Sequence, residues 1–217
     1  MSIHPFRAFD PQCTGCPRLV EFLAAGKREY PGYHCGPVAP FGDSEARLII
    51  IGLAPGFHGA NATGRPFTGD YAGVLLYETL YRYGFSTAPT SVSVNDGLKL
   101  INTRITNAVK CVPPENKPTP AEIVQCNDYL KSELQLLSKP TVLLALGTIA
   151  HGAVLKAFGL KLAAFKFFHG AEHLLPNQHV LLNSYHCSRY NTNTRRLTES
   201  MFHQVFAQAQ SLLLRLS

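Results

Sequence analysis

Long apolar runs are missing from this 217-residue sequence, and nothing approaches the roughly 20 residues that a membrane-spanning helix needs. The opening "MSIHPFRAFDPQC" carries no apolar h-region of the kind that directs secretion. No low-complexity tract, internal repeat or second domain is visible. Neither G-x-G-x-x-G nor G-x-x-x-x-G-K-[ST] occurs, which removes the usual phosphate cradles of nucleotide cofactors. Charged residues are sparse at 16%, and acids are the scarcer sign: 14 Asp and Glu against 20 Lys and Arg, for a formal net charge of +6. These features predict a soluble cytoplasmic protein, with a basic balance suited to a polyanion such as the nucleoid offers. In that compartment six cysteines do not read as a disulfide framework.

Apolar residues make up 46% of the chain, enough for a full core. The runs "ARLIIIGLAP", "TVLLALG" (141–147) and "QHVLLNSYH" (178–186) read as buried strands. "YAGVLLYETLYRYGF" (71–85) reads as a helix with Leu75, Leu76, Thr79 and Leu80 on one face and Gly84 as its stop. "PTPAEIVQCNDYLKSELQLL" opens on Thr119 as N-cap, Pro120 in the first turn and Glu122 completing a capping box. "TIAHGAVLKAF" follows as a helix, and the tail "LTESMFHQVFAQAQSLLLRL" as an amphipathic one, with Leu197, Met201, Val205 and Leu212 near one side. Apolar strands alternating with helices predict an α/β fold with a central, mainly parallel sheet. Ligands in such folds bind beyond the carboxyl ends of the strands. Three segments fall there: "GLAPGFHGANATGRPFTGD" (52–70), "TNAVKC" (106–111) and "HCSRYNTNT" (186–194).

The first of these admits three readings. Its glycines could only turn the chain, or could bring backbone N–H groups to a phosphate. Alternatively, Phe67 could stack on a flat base beside the carboxylate of Asp70. In the last segment His186 stands at a strand end, and Ser188, Arg189 and Asn191 suit phosphate contacts and a polar pocket wall. Lys110, Lys117, Arg195 and Arg196 flank these loops and otherwise read as solvated surface. His151, His169 and His173 lack an acidic partner at metal-ligand spacing. Cys13 and Cys16 form a C-x2-C pair, and Cys111 and Cys126 are separated by fourteen intervening residues. Four thiolates from two distant segments suit an iron–sulfur cluster or a zinc ion, and ordinary buried cysteines remain open. Cys35 and Cys187 read as small, partly buried thiols without a metal.

Taken together, these motifs resemble the uracil-DNA glycosylase superfamily, specifically family 5, the B-type enzymes. "GLAPGFHGANATGRPFTGD" and "HCSRYNTNT" are similar to its two long motifs, and the resemblance runs from Cys13 to about Thr198. It implies a uracil-DNA glycosylase-like domain over 1–217, of three-layer α/β/α architecture, with the cysteine-bearing segment 1–46 packed on it. It implies that Cys13, Cys16, Cys111 and Cys126 ligate a [4Fe–4S] cluster. The implied activity is monofunctional hydrolysis of the N-glycosidic bond of uracil, and of other deaminated bases such as hypoxanthine and xanthine, in double- or single-stranded DNA. Asp70, His186 and Asn107 would be catalytic. Ala54, Pro55, Gly56, Phe67, Ser188, Arg189 and Asn191 would bind substrate. The enzyme would act as a monomer, away from membranes. Two other classes compete: a non-catalytic iron–sulfur nucleic-acid-binding protein, and an enzyme of free nucleotides. The sequence departs from the family pattern at Gly56-Phe57, where Phe57 is expected to line or narrow the pocket. It departs also at Ala62, where an Arg is usual, and at Cys187.

Overall fold

The computed structural model describes residues 8–216. The expected strands are β2 (Leu48–Gly52), β4 (Val142–Leu146) and β6 (Val180–Ser184), joined by β3 (Thr103–Asn107). Two short strands lie at the edges, β1 (Phe41–Gly42) and β5 (Glu172–Leu174). The order is β1-β3-β2-β4-β6-β5. The inner four strands run parallel, while β1 and β5 pair antiparallel at the two edges. The edge strands span two and three residues, too short for a period-two pattern to show in sequence.

The inner strands are buried on both faces, which accounts for their unbroken apolar text. Successive side chains point to opposite sides. Leu48, Ile50, Leu144 and Leu182 meet α3 (Tyr71–Arg82) and α7 (Glu199–Arg215). Ile49, Ile51, Leu143 and Leu181 meet α4 (Pro120–Gln135) and α5 (Thr148–Ala157). The result is the three-layer α/β/α arrangement. A third cluster joins Leu19 and Leu23 of α1 (Pro17–Glu29) to Val109, Val112 and Tyr129. A short α2 covers Ala60–Thr63, and α6 covers Arg189–Asn193.

Helix starts follow local chemistry. Thr119 accepts from the Glu122 N–H while the Glu122 carboxylate accepts from the Thr119 N–H, closing the capping box. Arg18 of α1 clamps the same Glu122 with two 2.7 Å contacts, and that guanidinium lowers the carboxyl's pKa. The tail differs from expectation. Thr198 caps α7, whose buried stripe is Phe202, Val205, Phe206, Ala209 and Leu212. Leu197 is buried ahead of the helix, and Met201 sits only at the margin of the core. Among the described residues no helix is long and apolar enough to cross a membrane.

Candidate active site

Parallel pairing sets Gly52, the last residue of β2, beside Asn107, the last residue of β3. A Cβ on Gly52 would stand 2.4 Å from Asn107 Oδ1 and 2.8 Å from the Phe67 ring. Only glycine lets the amide and the ring meet over the strand end. Asn107 is 3% exposed, and its Oδ1 has no hydrogen-bond partner among the described residues. Leaving a buried acceptor unpaired costs about 1–3 kcal/mol.

Phe67 forms the adjoining wall. It has φ +54°, a left-handed conformation that a bulky residue rarely adopts. Gly73 makes the close approach possible, since a Cβ there would fall 1.8 Å from the Phe67 carbonyl oxygen. Asp70 ends the same loop as the N-cap of α3, its Oδ1 accepting from the Gly73 N–H at 2.8 Å. Its second oxygen faces the glycine-rich loop, where a Cβ on Gly59 would stand 2.7 Å from Oδ2 and one on Gly56 3.5 Å away. Burial raises the Asp70 pKa above the ordinary carboxylate value, partly offset by the backbone N–H bonds of Gly73 and Ala72.

The facing wall follows β6. His186 lies near-parallel to Phe67, with ring centroids 5.9 Å apart and planes 26° from one another. Burial pushes the imidazole pKa down to about 4, so the ring is neutral at pH 7. Ser188 caps α6 through the Asn191 N–H. The Asn191 side chain donates to the His186 carbonyl at 2.8 Å, holding the turn that aims the imidazole. Arg189 is exposed and lies over the Tyr71 ring at 5.0 Å.

These walls enclose a cavity of about 370 Å³ at the carboxyl ends of β2, β3 and β6. Of the expected residues, Ala54, Gly56, Phe67, Asp70, Asn107, His186, Ser188 and Arg189 line it. Pro55 and Asn191 stand behind the wall: Pro55 is buried between its neighbours, and Asn191 acts on the backbone. The structure adds Leu53, Ala60, Tyr71, Ala72 and Asn116. Asn116 has φ +57°, a conformation asparagine tolerates, and only folding brings its loop to the cavity mouth.

Three expectations require correction. Phe57 does not line the cavity; it turns away to pack on Phe22 and Tyr30 of the α1 region and on Tyr33. Gly26 of α1 gives it room, since a Cβ there would approach the Phe57 ring to 3.0 Å. Lys110 is not a surface cation. It is 1% exposed and forms a 2.6 Å ion pair with Glu133 of α4. Cys187 is fully buried, its thiol directed at the Ala72 carbonyl 3.5 Å away. Burial, with Asp70 adding to it, raises that thiol's pKa and keeps it protonated.

Remaining polar residues settle into structural roles. His151 is buried between Asn183 and the Phe165 carbonyl, and His169, half-buried, sits between the Met201 carbonyl and the Tyr185 N–H. His173 meets the Lys166 carbonyl. Lys117 pairs with Glu115 in solvent, and Arg196 covers Tyr185. Arg195 has φ +56° at the turn after α6. Cys35, half-buried, accepts from the Asn61 amide, and the Ala62 carbonyl in α2 accepts from the His34 N–H.

The other four cysteines come together. Cys13 precedes α1, Cys16 is its N-cap, Cys111 follows β3 and Cys126 lies on α4; all four line one small pocket. Its other walls include Leu19, Val109 and Tyr129, with no carboxylate or imidazole among the described residues. Burial, then the three neighbouring sulfurs, push the Cys111 thiol up to about 12. Among the described residues, no three His, Cys, Asp or Glu side chains stand as a single-ion site would require.

Residues 39–210 match the family model for the uracil DNA glycosylase superfamily. A type-5 uracil-DNA glycosylase of Thermus thermophilus is 48% identical over 205 residues, covering 92% of this chain and 93% of that protein. One of Pyrobaculum aerophilum is 43% identical, covering 91% of this chain and 87% of that protein. A type-4 uracil-DNA glycosylase of Archaeoglobus fulgidus is 35% identical over only 55% of this chain and 53% of that protein. The full-length likeness is thus to type 5, and this chain belongs to the uracil-DNA glycosylase superfamily, in its family 5.

Proposed function

We propose that this protein is a monofunctional DNA glycosylase that hydrolyses the N-glycosidic bond of uracil and opens base excision repair at the nucleoid. Its relatives named as uracil-DNA glycosylases support the reaction class, and disfavour a purely DNA-binding role. The observation that carries the reading is the Asn107 Oδ1: an unpartnered buried acceptor in a cavity whose facing walls are Phe67 and His186. A base edge bearing an N–H satisfies that oxygen.

The target bond is out of reach inside a stacked duplex, so the nucleotide must swing out into the cavity. Phe67 stacks on the extruded base, an interaction worth about 1–3 kcal/mol by analogy with other aromatic–base contacts. As the C1′–N bond breaks, the base takes the electron pair and the sugar becomes an oxocarbenium-like cation. The two charges need separate stabilisation. Neutral His186 donates its N–H to the base oxygen where negative charge collects. Asp70 uses the oxygen not tied to Gly73 to orient water toward C1′ and to oppose the positive charge. Water adds to C1′, gives up a proton, and the base leaves protonated. Among the described residues no lysine lines the cavity, so no described side chain there forms the imine that strand cleavage requires. Ala54, Gly56 and Ser188 shape the base and sugar contacts, while Pro55 and Asn191 hold the walls from behind.

A cavity of about 370 Å³ supports a range wider than uracil, and we extend the substrate range to hypoxanthine and xanthine, in double- and single-stranded DNA, for a monomeric enzyme. For the cysteines we propose a [4Fe–4S] cluster held by Cys13, Cys16, Cys111 and Cys126. An all-sulfur donor set in an apolar shell supports it, and the wide C-x14-C separation of Cys111 and Cys126 is less typical of a zinc ribbon. Such a group would tie the segment before α1 to α4, as the Arg18–Glu122 clamp does beside it. The decisive experiment is incubation of the purified protein with oligonucleotides carrying uracil, hypoxanthine, xanthine or thymine. Alkali-labile abasic product from the uracil strand is expected, and its complete absence overturns the reading. Iron and sulfide analysis of the same preparation should return four of each per chain; stoichiometric zinc would refute the cluster.

A further inference from the structure

The segment Ser91–Leu98 contributes nothing to the cavity wall, yet its hydrogen bonds converge behind it. Arg65, 4% exposed, sends Nη1 to Asp96 Oδ1 at 2.8 Å and to Ser91 Oγ at 2.9 Å, and Nη2 to the Val94 carbonyl at 2.8 Å. Asp96 in turn accepts from the Val92, Ser93 and Leu98 N–H groups. Those donors and the guanidinium hold its carboxyl far below the usual range against the opposing effect of burial. The chain of contacts then reaches the Phe67 backbone from both sides. Ser91 Oγ meets Thr68 Oγ1 at 2.7 Å, immediately after Phe67, and Tyr77 of α3 donates to the Pro66 carbonyl at 2.9 Å, immediately before it.

A buried ion pair is weak evidence for stability, since desolvation offsets most of its attraction. A phenylalanine with positive φ relaxes unless its surroundings over-determine it. The two observations explain each other. We infer that the Arg65–Asp96 pair, through Ser91 and Thr68, is the positioning device that locks Phe67 in its base-stacking pose. Arg65 touches no substrate and acts only through the residue two places on. The inference rests on the proposed role of Phe67.

The test is a double-mutant cycle. Arg65→Lys keeps the charge but loses the fork that bonds three partners at once; Thr68→Val cuts one hydroxyl link without burying a lone charge. Each is made in the native chain and in a Phe67→Ala background. Single-turnover excision of uracil is measured alongside 2-aminopurine fluorescence beside a 2′-fluorinated uracil, which resists hydrolysis and so reports extrusion alone. Both single variants should slow excision at least tenfold, shift KM less than threefold and weaken the extrusion signal. On Phe67→Ala, neither should cost more than twofold further. Equal losses in both backgrounds, or folded single variants with native rates, overturn the inference. If Arg65→Lys fails to fold, Thr68→Val decides alone. Native protein that extrudes the base but releases none sinks the glycosylase reading instead, leaving the extrusion cycle to judge the device.

Discussion

The two walls of the cavity are built by opposite means. The wall from 52 to 73 is interlocked: Gly52 admits Asn107 and Phe67, Gly59 admits Asp70, Gly73 admits the Phe67 carbonyl, and a buried ion pair stands behind them. The wall from 186 to 194 is mostly local. The Ser188 cap and the Asn191 amide shape its turn, Cys187 and Thr192 reach across to Ala72 and Tyr71, and Arg189 and Tyr190 stand in solvent. A rigid wall can place a stacked ring and a carboxylate to within a fraction of an ångström, as bond cleavage demands. An exposed, locally braced wall suits a backbone that arrives from outside and varies in shape. His186 is the exception, a half-buried group of the proposed chemistry carried on the local wall and held there by Asn191.

Substitutions at the two groups proposed to react, one from each wall, should give the largest effect. Asp70→Asn and His186→Ala should each lower the single-turnover rate of uracil excision by about 10²–10³-fold, the scale of removing one oriented stabilising group. Asparagine caps a helix as well as aspartate does, so α3 should stay intact and isolate the chemistry. The raised Asp70 pKa places the acid limb of the rate profile above the ordinary carboxylate value, because protonation removes the charge. His186 is already neutral at pH 7 and adds no limb near neutrality. The stability signs differ. The fold holds the Asp70 proton more tightly than the unfolded chain, so this group's contribution falls as pH rises through its raised pKa. Asp70→Asn should therefore raise the melting temperature at pH 7. The fold favours neutral His186, whose contribution is lost as pH falls from 6.5 toward about 4. Melting curves of His186→Ala against pH should show that acid loss reduced.

The same contrast governs what could be read before folding. Parallel strands, helix caps and strand-end loops were legible because local pattern specifies them. Phe67, Asp70, Asn107 and His186 stood in quotable motifs. The rest depends on partners distant along the chain. Lys110 looked like a surface cation, but its partner Glu133 lies on α4, 23 residues on. Phe57 looked like a cavity residue; the aromatic neighbours that claim it come mainly from the α1 region. Asn116 joins the cavity from a loop whose text shows only turn chemistry. The Arg65–Asp96 pair spans 31 residues, beyond any periodicity a sequence displays.

Within the rigid wall, stability and activity should separate. Gly52→Ala introduces a Cβ at 2.4 Å from Asn107 Oδ1, so the ring and the amide must part. Excision should fall by at least tenfold, with about 1–3 kcal/mol of stability lost to overpacking. Asn107→Leu should break this coupling. It removes an unpartnered buried oxygen, so urea midpoints should hold or rise, while excision falls for want of the amide. A loss of unfolding free energy above about 1.5 kcal/mol, the limit for a tolerated core swap, would mean the amide is structural.

The local wall should yield the smallest effect, and one of a different kind. Arg189 is exposed, and its contact with the Tyr71 ring at 5.0 Å is worth only about 0.5–1 kcal/mol at such a site. Arg189→Ala should leave melting within about 0.5 kcal/mol of the native value and the single-turnover rate at saturating DNA nearly unchanged. What it should alter is the dependence of DNA affinity on salt. A lost phosphate contact releases one fewer counterion, reducing the slope of log K against log salt by about 1. Binding isotherms from low to moderate salt measure that slope directly. An unaltered slope would place the phosphate path elsewhere. A large drop in the saturated rate would mean that Arg189 shares in the positioning that the interlocked wall otherwise performs.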